Sequence, residues 1–335
     1  MKAVVVGGGS IGGRHLRNLQ GLGVADLSLV ESDAERRRVL AQESGARPFS
    51  ELRDALDSSP DFVVIATPTH LHLRHAMEAA RAGCDLFVEK PLSHRAEGLQ
   101  ELSELAERRQ LVSLVGCNMR FHPGPAKVKE LLSESVLGKI LFARVHTGSY
   151  LPNWRPGSDY RENYAAREET GGGCILDCIH EIDLARWFLG EVQDVVCMVA
   201  HTGSLQIETE DIAALLCRHV NGAISEIHLD YVQRTYERGC HIAGERGSIF
   251  WDFGSKQVRW FDADQDRWTV FSQPDGWELN EMYVAEMRHF LECVQSRHET
   301  TLPISEAVSV MQIAFAAKAS AREGRLVSIG REVLA

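Results

Sequence analysis

The stretch VVVGGGSIGG, residues 4–13, constrains the fold of this chain more than any other. A β-branched run leads directly into Gly7-x-Gly9-x-x-Gly12, and a helical pattern follows over 11–22. Small residues in that order let the backbone turn tightly and approach a pyrophosphate at a helix N-terminus. The glycine spacing alone is common. Between the first strand and the first helix it predicts a dinucleotide site. Further strands are predicted at 27–30, 62–67, 86–89 and 111–116, with helices around 34–44, 70–82 and 95–109. Strands alternating with helices at this interval mean right-handed βαβ units and a parallel sheet.

The rhythm changes after residue 122. Helices are predicted at 123–134 and 172–189, followed by long β-type segments such as ILFARVHTG, DVVCMVAHT, DIAALLCRHV and QVRWFD. Turn signals such as Asn221-Gly222 separate them, which implies an antiparallel or mixed sheet. Helices at 277–296 and 304–322 close the chain. A length of 335 residues exceeds one ordinary core, so two domains are expected, a Rossmann domain at 1–121 and a second at 122–335. The predicted fold class is α/β: an N-terminal Rossmann parallel sheet plus a C-terminal α+β domain with an open, mostly antiparallel sheet. The C-terminal helix is expected to pack back on the first domain.

A formal net charge of −11 argues against nucleic acid as the main partner, because phosphate neutralisation needs a basic face. The eight cysteines include no CxxC pair and sit in apolar runs, so they read as reduced core residues. No apolar run approaches the roughly 20 residues of a membrane span, and the N-terminus lacks a secretory h-region. A cytoplasmic protein with no membrane partner is expected.

Glu31 ends the second strand 19 residues after Gly12. A carboxylate there accepts from the adenosine ribose hydroxyls and repels a 2′-phosphate, so NAD is expected over NADP. Arg36, Arg37 and Arg38 are the counter-signal, although a solvated helix face is the commoner use of such a run. Thr67 and Pro68 end a strand at its carboxyl edge, where open α/β sheets bind ligands. His70, His72 and His75 recur at helical spacing without carboxylate or cysteine companions, which favours surface or capping histidines over a metal site. The cofactor site is expected to use Gly7, Gly9, Ser10, Ile11, Gly12, Glu31, Thr67, Pro68, His72, Glu89, Lys90 and Asn118, and no metal.

The segment DLFVEKPLSH, residues 85–94, ends a buried strand with an acid, an ammonium and a proline. Alone, Glu89 and Lys90 read as a surface ion pair worth little. Their company changes that. Gly7-x-Gly9-x-x-Gly12, ATPTHLH, VEKPLS, GCNMRFHPG, GGGCILDCIHEID and IAGERGSIFWD, in this order, resemble the Gfo/Idh/MocA oxidoreductases over most of the chain. The resemblance implies a two-domain NAD(P)-dependent enzyme acting on sugars, cyclitols or their derivatives. It places the lysine of the motif, here Lys90, beside the nicotinamide as a catalytic or substrate-positioning residue, and suggests a cis Lys90–Pro91 bond. Proline also holds the preceding residue extended, which projects Lys90 from the strand end.

The second element is GGGCILDCIHEID, residues 171–183. In a continuous helix Asp177 and His180, three apart, share a face, where a carboxylate can orient the ring of a general base. The family more often spaces this pair four apart, while His180 and Asp183 keep its usual interval. His180, Asp177 and Lys90 are the expected catalytic residues. A third cluster, YLPNWRPGSDYRENYAARE at 150–168, is aromatic and arginine-rich and resembles the branch of surface-sugar and sugar-nucleotide pathways. Arginine forks recognise carboxylates and phosphates, so an anionic sugar or sugar nucleotide is the expected substrate. The expected substrate site is Lys90, Arg120, Trp154, Arg155, Tyr160, Arg161, Asp177 and His180; spacing does not choose among the arginines. Two other readings keep the fold: a redox-neutral NAD-dependent glycosidase and a non-catalytic NAD-sensing regulator. An open sheet needs a cover, so a homodimer or homotetramer formed sheet to sheet is expected.

Overall fold

The computed structural model describes residues 1–155 and 157–330. The chain forms two compact units, one of Met1–Asn118 with Leu279–Met311, the other of Met119–Glu278 with 312–330.

The first unit carries β1 (Lys2–Val6), α1 (Ser10–Gly21), β2 (Asp26–Val30), α2 (Ala34–Ser44), β3 (Arg47–Phe49), α3 (Leu52–Leu56), β4 (Phe62–Ile65), α4 (Thr69–Ala82), β5 (Asp85–Glu89), α5 (Leu99–Arg108) and β6 (Ser113–Gly116). Its six strands lie in the order β3-β2-β1-β4-β5-β6, all parallel. The order reverses between β1 and β4, and loops leaving the carboxyl edge there form the usual ligand crevice. β4 and β5 are buried throughout, as strands covered on both faces must be. The short β3 and α3 carry too little periodic pattern to stand out in sequence.

The second unit begins with α6 (Pro123–Ser133) and β7 (Ile140–Gly148), then α7 (Cys174–Asp177) and α8 (Ile179–Leu189). Strands β8 (Val192–Ala200), β9 (Ile212–His219), β10 (Ile224–Asp230), β11 (Glu237–Gly244), β12 (Gly247–Asp252), β13 (Gln257–Asp262) and β14 (Arg267–Ser272) follow. α9 (Asn280–Ser296), α10 (Ile304–Glu323) and β15 (Val327–Ser328) end the described chain. The nine-stranded sheet runs β14-β13-β12-β11-β7-β10-β9-β8-β15 and is antiparallel except for β7 and β10, which are parallel. β9 shows the period of two that a one-sided sheet needs: Ala213, Leu215 and Cys217 are buried, while Leu216 is 51% exposed. The open face also presents Met198, Ile224, Trp268 and Val270.

The domain boundary differs from the sequence expectation of 121/122. The first unit ends at Asn118 and takes in Leu279–Met311. The reason is α9, whose Phe290 packs edge-on against Phe62 and Phe87 at centroid distances of 5.4 and 5.6 Å. Arg297 at its end pairs with the buried Asp85. The predicted helix over 172–189 is two helices, broken at Cys178 (φ −90°, ψ 35°). All eight cysteines are buried and free of disulfides. Among the described residues no helix is long and apolar enough to cross a membrane.

Candidate active site

The glycine loop leaves β1 at Gly7, whose N–H donates to the Val30 carbonyl at 2.8 Å. Gly9 caps α1, and nothing lies within 4 Å of the place a Cβ would occupy there. That is open backbone at the N-terminus of a helix, where unpaired N–H groups draw an anion. Gly12 is the opposite case. A Cβ at Gly12 would lie 1.8 Å from the Gly7 carbonyl oxygen, so only glycine lets the helix approach its own turn. Ser10 and Ile11 form the first helical residues, Ser10 exposed and Ile11 half-buried.

Glu31 is buried at the end of β2, where its carboxylate accepts from the Gly8 N–H at 2.7 Å and the Asp33 N–H at 2.9 Å. The Ser32 hydroxyl also donates to Oε1 at 3.3 Å, so a ribose diol would share this carboxylate with local donors. The three following arginines are taken up locally. Arg36 pairs with Glu31, Arg37 donates to the Glu31 and Ser32 carbonyls, and Arg38 pairs with Glu35. At the carboxyl edge of β4 the buried Thr67 hydroxyl has no hydrogen-bond partner among the described residues. An open helix N-terminus, an acceptor at the end of β2 and an orphaned hydroxyl fit a bound dinucleotide.

Glu89 closes β5 and is held from α1. Its Oε1 lies 2.7 Å from Nε2 of His15, a ring with no exposure that packs on Phe87 and Tyr283. Tyr283 of α9 carries Arg14 over its ring at 4.3 Å and shares a hydrogen bond with Asn118. Burial raises the Tyr283 hydroxyl, and the nearby Glu89 adds to the shift while Arg14 and Lys90 oppose it. The Lys90–Pro91 peptide is cis. Asn118, expected at the cofactor, is thus joined to Tyr283. Sequence reading placed Tyr283 only within the helix predicted at 277–296 and passed over His15, whose only signal was a histidine among apolar positions of α1.

His72 is not a surface or capping residue, the reading its spacing favoured. It is 1% exposed, with Nδ1 2.8 Å from the Pro91 carbonyl oxygen and Nε2 2.7 Å from that of Thr67. Both ring nitrogens are engaged by backbone, so the ring ties the turn after β4 to the turn after β5. Burial pulls its pKa down.

In the second unit, Asp177 ends α7 and is 3% exposed. Its Oδ1 accepts from the Tyr164 hydroxyl at 3.0 Å and its Oδ2 from the Tyr231 hydroxyl at 3.3 Å. Tyr231 is fully buried, and its pKa is raised by that burial and by the Asp177 charge. His180 stands buried in the first turn of α8. Asp177 and His180 stand on either side of the break at Cys178, Asp177 closing α7 and His180 in the first turn of α8. Gly172 and Gly173, before α7, permit close packing within the chain itself. A Cβ at Gly173 (φ 101°) would sit 2.4 Å from Oε1 of Glu210, which accepts from the Ile175 N–H. Burial raises the Glu210 carboxyl.

The arginines sort by partner. Arg120, expected at the substrate, is buried with a bidentate grip on Asp183: Nε to Oδ2 at 2.9 Å and Nη2 to Oδ1 at 2.6 Å. It is a structural pair, and it explains the aspartate three residues after His180. Truncating one partner of such a pair strands the other, at about 3–5 kcal/mol. Asp183→Ala is therefore expected to lower the unfolding free energy by about that amount in a denaturant titration; an unchanged midpoint and slope would show the pair to be dispensable. Arg161 is gripped by Asp159 and donates to Gln206, and Tyr160 accepts from the Gln206 N–H, so both fasten a surface loop. Trp154 donates to the Ser149 hydroxyl and meets the Tyr231 ring edge-on at 5.3 Å. Arg155 lies over Tyr164 at 5.2 Å and reaches Asn163.

A doubly wound parallel sheet with a phosphate-type glycine turn, joined to a second unit with a buried acid and histidine, defines a dinucleotide-dependent oxidoreductase. Residues 1–117 match the model of the oxidoreductase family with an NAD-binding Rossmann fold, and residues 126–250 that of the GFO/IDH/MocA C-terminal domain. Inositol 2-dehydrogenase 2 of Saccharopolyspora erythraea is 30% identical over 263 residues, 74% of this chain and 72% of that one. Myo-inositol 2-dehydrogenase of Thermotoga maritima is 26% identical over 345 residues, 98% of each. Among solved structures, levoglucosan dehydrogenase with NADH and L-sorbose shares the fold at a TM-score of 0.91, 22% identity and full coverage of both chains. GenD2 from gentamicin A biosynthesis, in complex with NAD, superposes at 0.84 with 26% identity over 98% of this chain and 96% of that one. The chain belongs to the Gfo/Idh/MocA family of NAD-dependent oxidoreductases acting on CH–OH groups.

Proposed function

We propose that this protein oxidises a secondary alcohol of a sugar or sugar nucleotide to a ketone. The observation that carries the reading is Lys90 at the carboxyl end of β5, directly after a glutamate locked to α1 by His15. A strand end held from below presents the next side chain in a fixed direction, the condition for electrostatic stabilisation of a developing alkoxide. The glycine loop Gly7–Gly12 and Glu31 would hold NAD, which would supply the acceptor for the hydride of the carbinol carbon. Lys90 donates a hydrogen bond to the oxygen of the reacting hydroxyl. His180 takes the hydroxyl proton, and Asp177, clamped by Tyr164 and Tyr231, fixes the local geometry of the α7–α8 corner. Inositol and levoglucosan dehydrogenases among the relatives support a cyclic polyol or sugar as substrate. The test is NADH formation across inositols, neutral sugars, sugar acids, sugar phosphates and UDP-sugars. Turnover on at least one of them supports the reading, and NADH binding without turnover on any of them removes it.

The open face of the nine-stranded sheet supports a homo-oligomer formed sheet to sheet. Leu216, Met198 and Ile224 stand exposed on the same face of the neighbouring strands β9, β8 and β10, large apolar side chains that a second copy would cover. Leu216→Glu places a charge in that surface and is expected to weaken association by about tenfold or more. Sedimentation velocity reads the shift; a wild-type chain that stays monomeric at every concentration rejects the interface.

A further inference from the structure

Strands β7 and β10 are parallel and in register to their ends, Gly148 beside Asp230. Their following loops therefore leave the same edge of the sheet side by side. The Ser149 N–H donates to the Asp230 carbonyl at 3.2 Å and the Leu151 N–H to the Tyr231 carbonyl at 3.0 Å. From the first loop Trp154 leans on Tyr231; from the second, Tyr231 reaches Asp177. The turn after β10 is built rather than loose. Buried Asp230 accepts from the Val232 and Gln233 N–H groups at 2.9 and 2.7 Å and pairs with His228 at 3.0 Å, so its charge is engaged. The next residue is Arg234.

The exposed Arg234 sits over Tyr150, its guanidinium carbon 3.7 Å from the ring centroid. No carboxylate among the described residues pairs with it. Stacking fixes the plane of a guanidinium and leaves its N–H edges free, the geometry for a two-pronged grip on an oxyanion. This sets it apart from Arg120 and Arg161, whose forks are filled by Asp183 and Asp159. We infer that Arg234, on its Tyr150 shelf, is the specificity residue that binds the carboxylate or phosphate of an anionic sugar substrate. The inference rests on the dehydrogenase reading above and narrows its substrate class. It also answers why the arginine-rich loop at 150–168 did not reveal the contact: the residue comes from the neighbouring strand end and only the parallel pairing brings the two together.

The test compares kcat/KM for D-glucose, D-glucuronate, D-glucose 6-phosphate and UDP-glucose, alongside the inositols, in the full-length wild type, Arg234→Gln and Arg234→Lys. An interaction with a charged group lost from the site lowers the anionic-to-neutral ratio of kcat/KM by about 10- to 100-fold. The Gln variant is expected to show that loss and the Lys variant, which keeps the charge without the fork, an intermediate one. The carboxylate and phosphate arms show which anion is read. An unchanged NADH dissociation constant keeps the effect on the substrate side. Preference for neutral sugars or cyclitols in the wild type, with the same ratio in Arg234→Gln, overturns the inference and leaves the dehydrogenase reading standing. No NADH from any substrate overturns both.

Discussion

His180→Ala is expected to lower kcat by about 10²–10⁴-fold, the usual loss when a positioned general base is removed. Oxidation of an alcohol needs the hydroxyl proton to leave as the carbon gives up hydride, and neutral imidazole is the side chain best matched to that task. His180 opens α8 from a corner held on several sides: Glu210 grips the start of α7, two tyrosine hydroxyls hold Asp177, and Arg120 binds Asp183 one turn further on. Such a corner keeps its shape when one ring is removed, so the variant is expected to fold and to bind NADH as the wild type does. Partial recovery of the rate with added imidazole would tie the loss to the missing base. Near-full kcat in His180→Ala would take the role from His180.

Lys90→Met keeps the length of the side chain and removes its charge, and is expected to lower kcat by about 10²–10³-fold. The effect belongs to the transition state, where the substrate oxygen carries most of its negative charge. The Glu89–His15 contact, the Phe87 packing and the His72 bridge to Pro91 all remain in this variant, so the strand end keeps its place. KM and the NADH dissociation constant are expected to move far less than kcat. A rise in KM alone, with kcat retained, would make Lys90 a binding residue rather than a stabiliser of the alkoxide.

The Rossmann half was legible because its signals are local. Gly7, Gly9 and Gly12 sit between an apolar run and a helical pattern, and Glu31 ends the next apolar run; each needs only neighbours in sequence to be read. The partners of the charged groups were not legible, because they are set by tertiary register. Glu89 finds His15 across 74 positions and Arg120 finds Asp183 across 63, distances over which no spacing rule operates. The helix over 172–189 was read as continuous since no proline or turn cluster interrupts it; the break at Cys178 coincides with the anchoring of Asp177 to Tyr164 and Tyr231, which lie in other segments. His72 shows the same limit at short range. Its spacing within α4 resembled a surface repeat, yet the carbonyls of Thr67 and Pro91 bury it.

Net redox stoichiometry tests the central claim most directly. Wild-type protein incubated with NAD⁺ and a turned-over sugar is predicted to form NADH and the corresponding ketone in equal amounts, with glycosidic bonds left intact. Cleavage of a glycoside by the purified protein, with no NADH accumulating, would contradict the dehydrogenase account and assign the same fold a redox-neutral reaction.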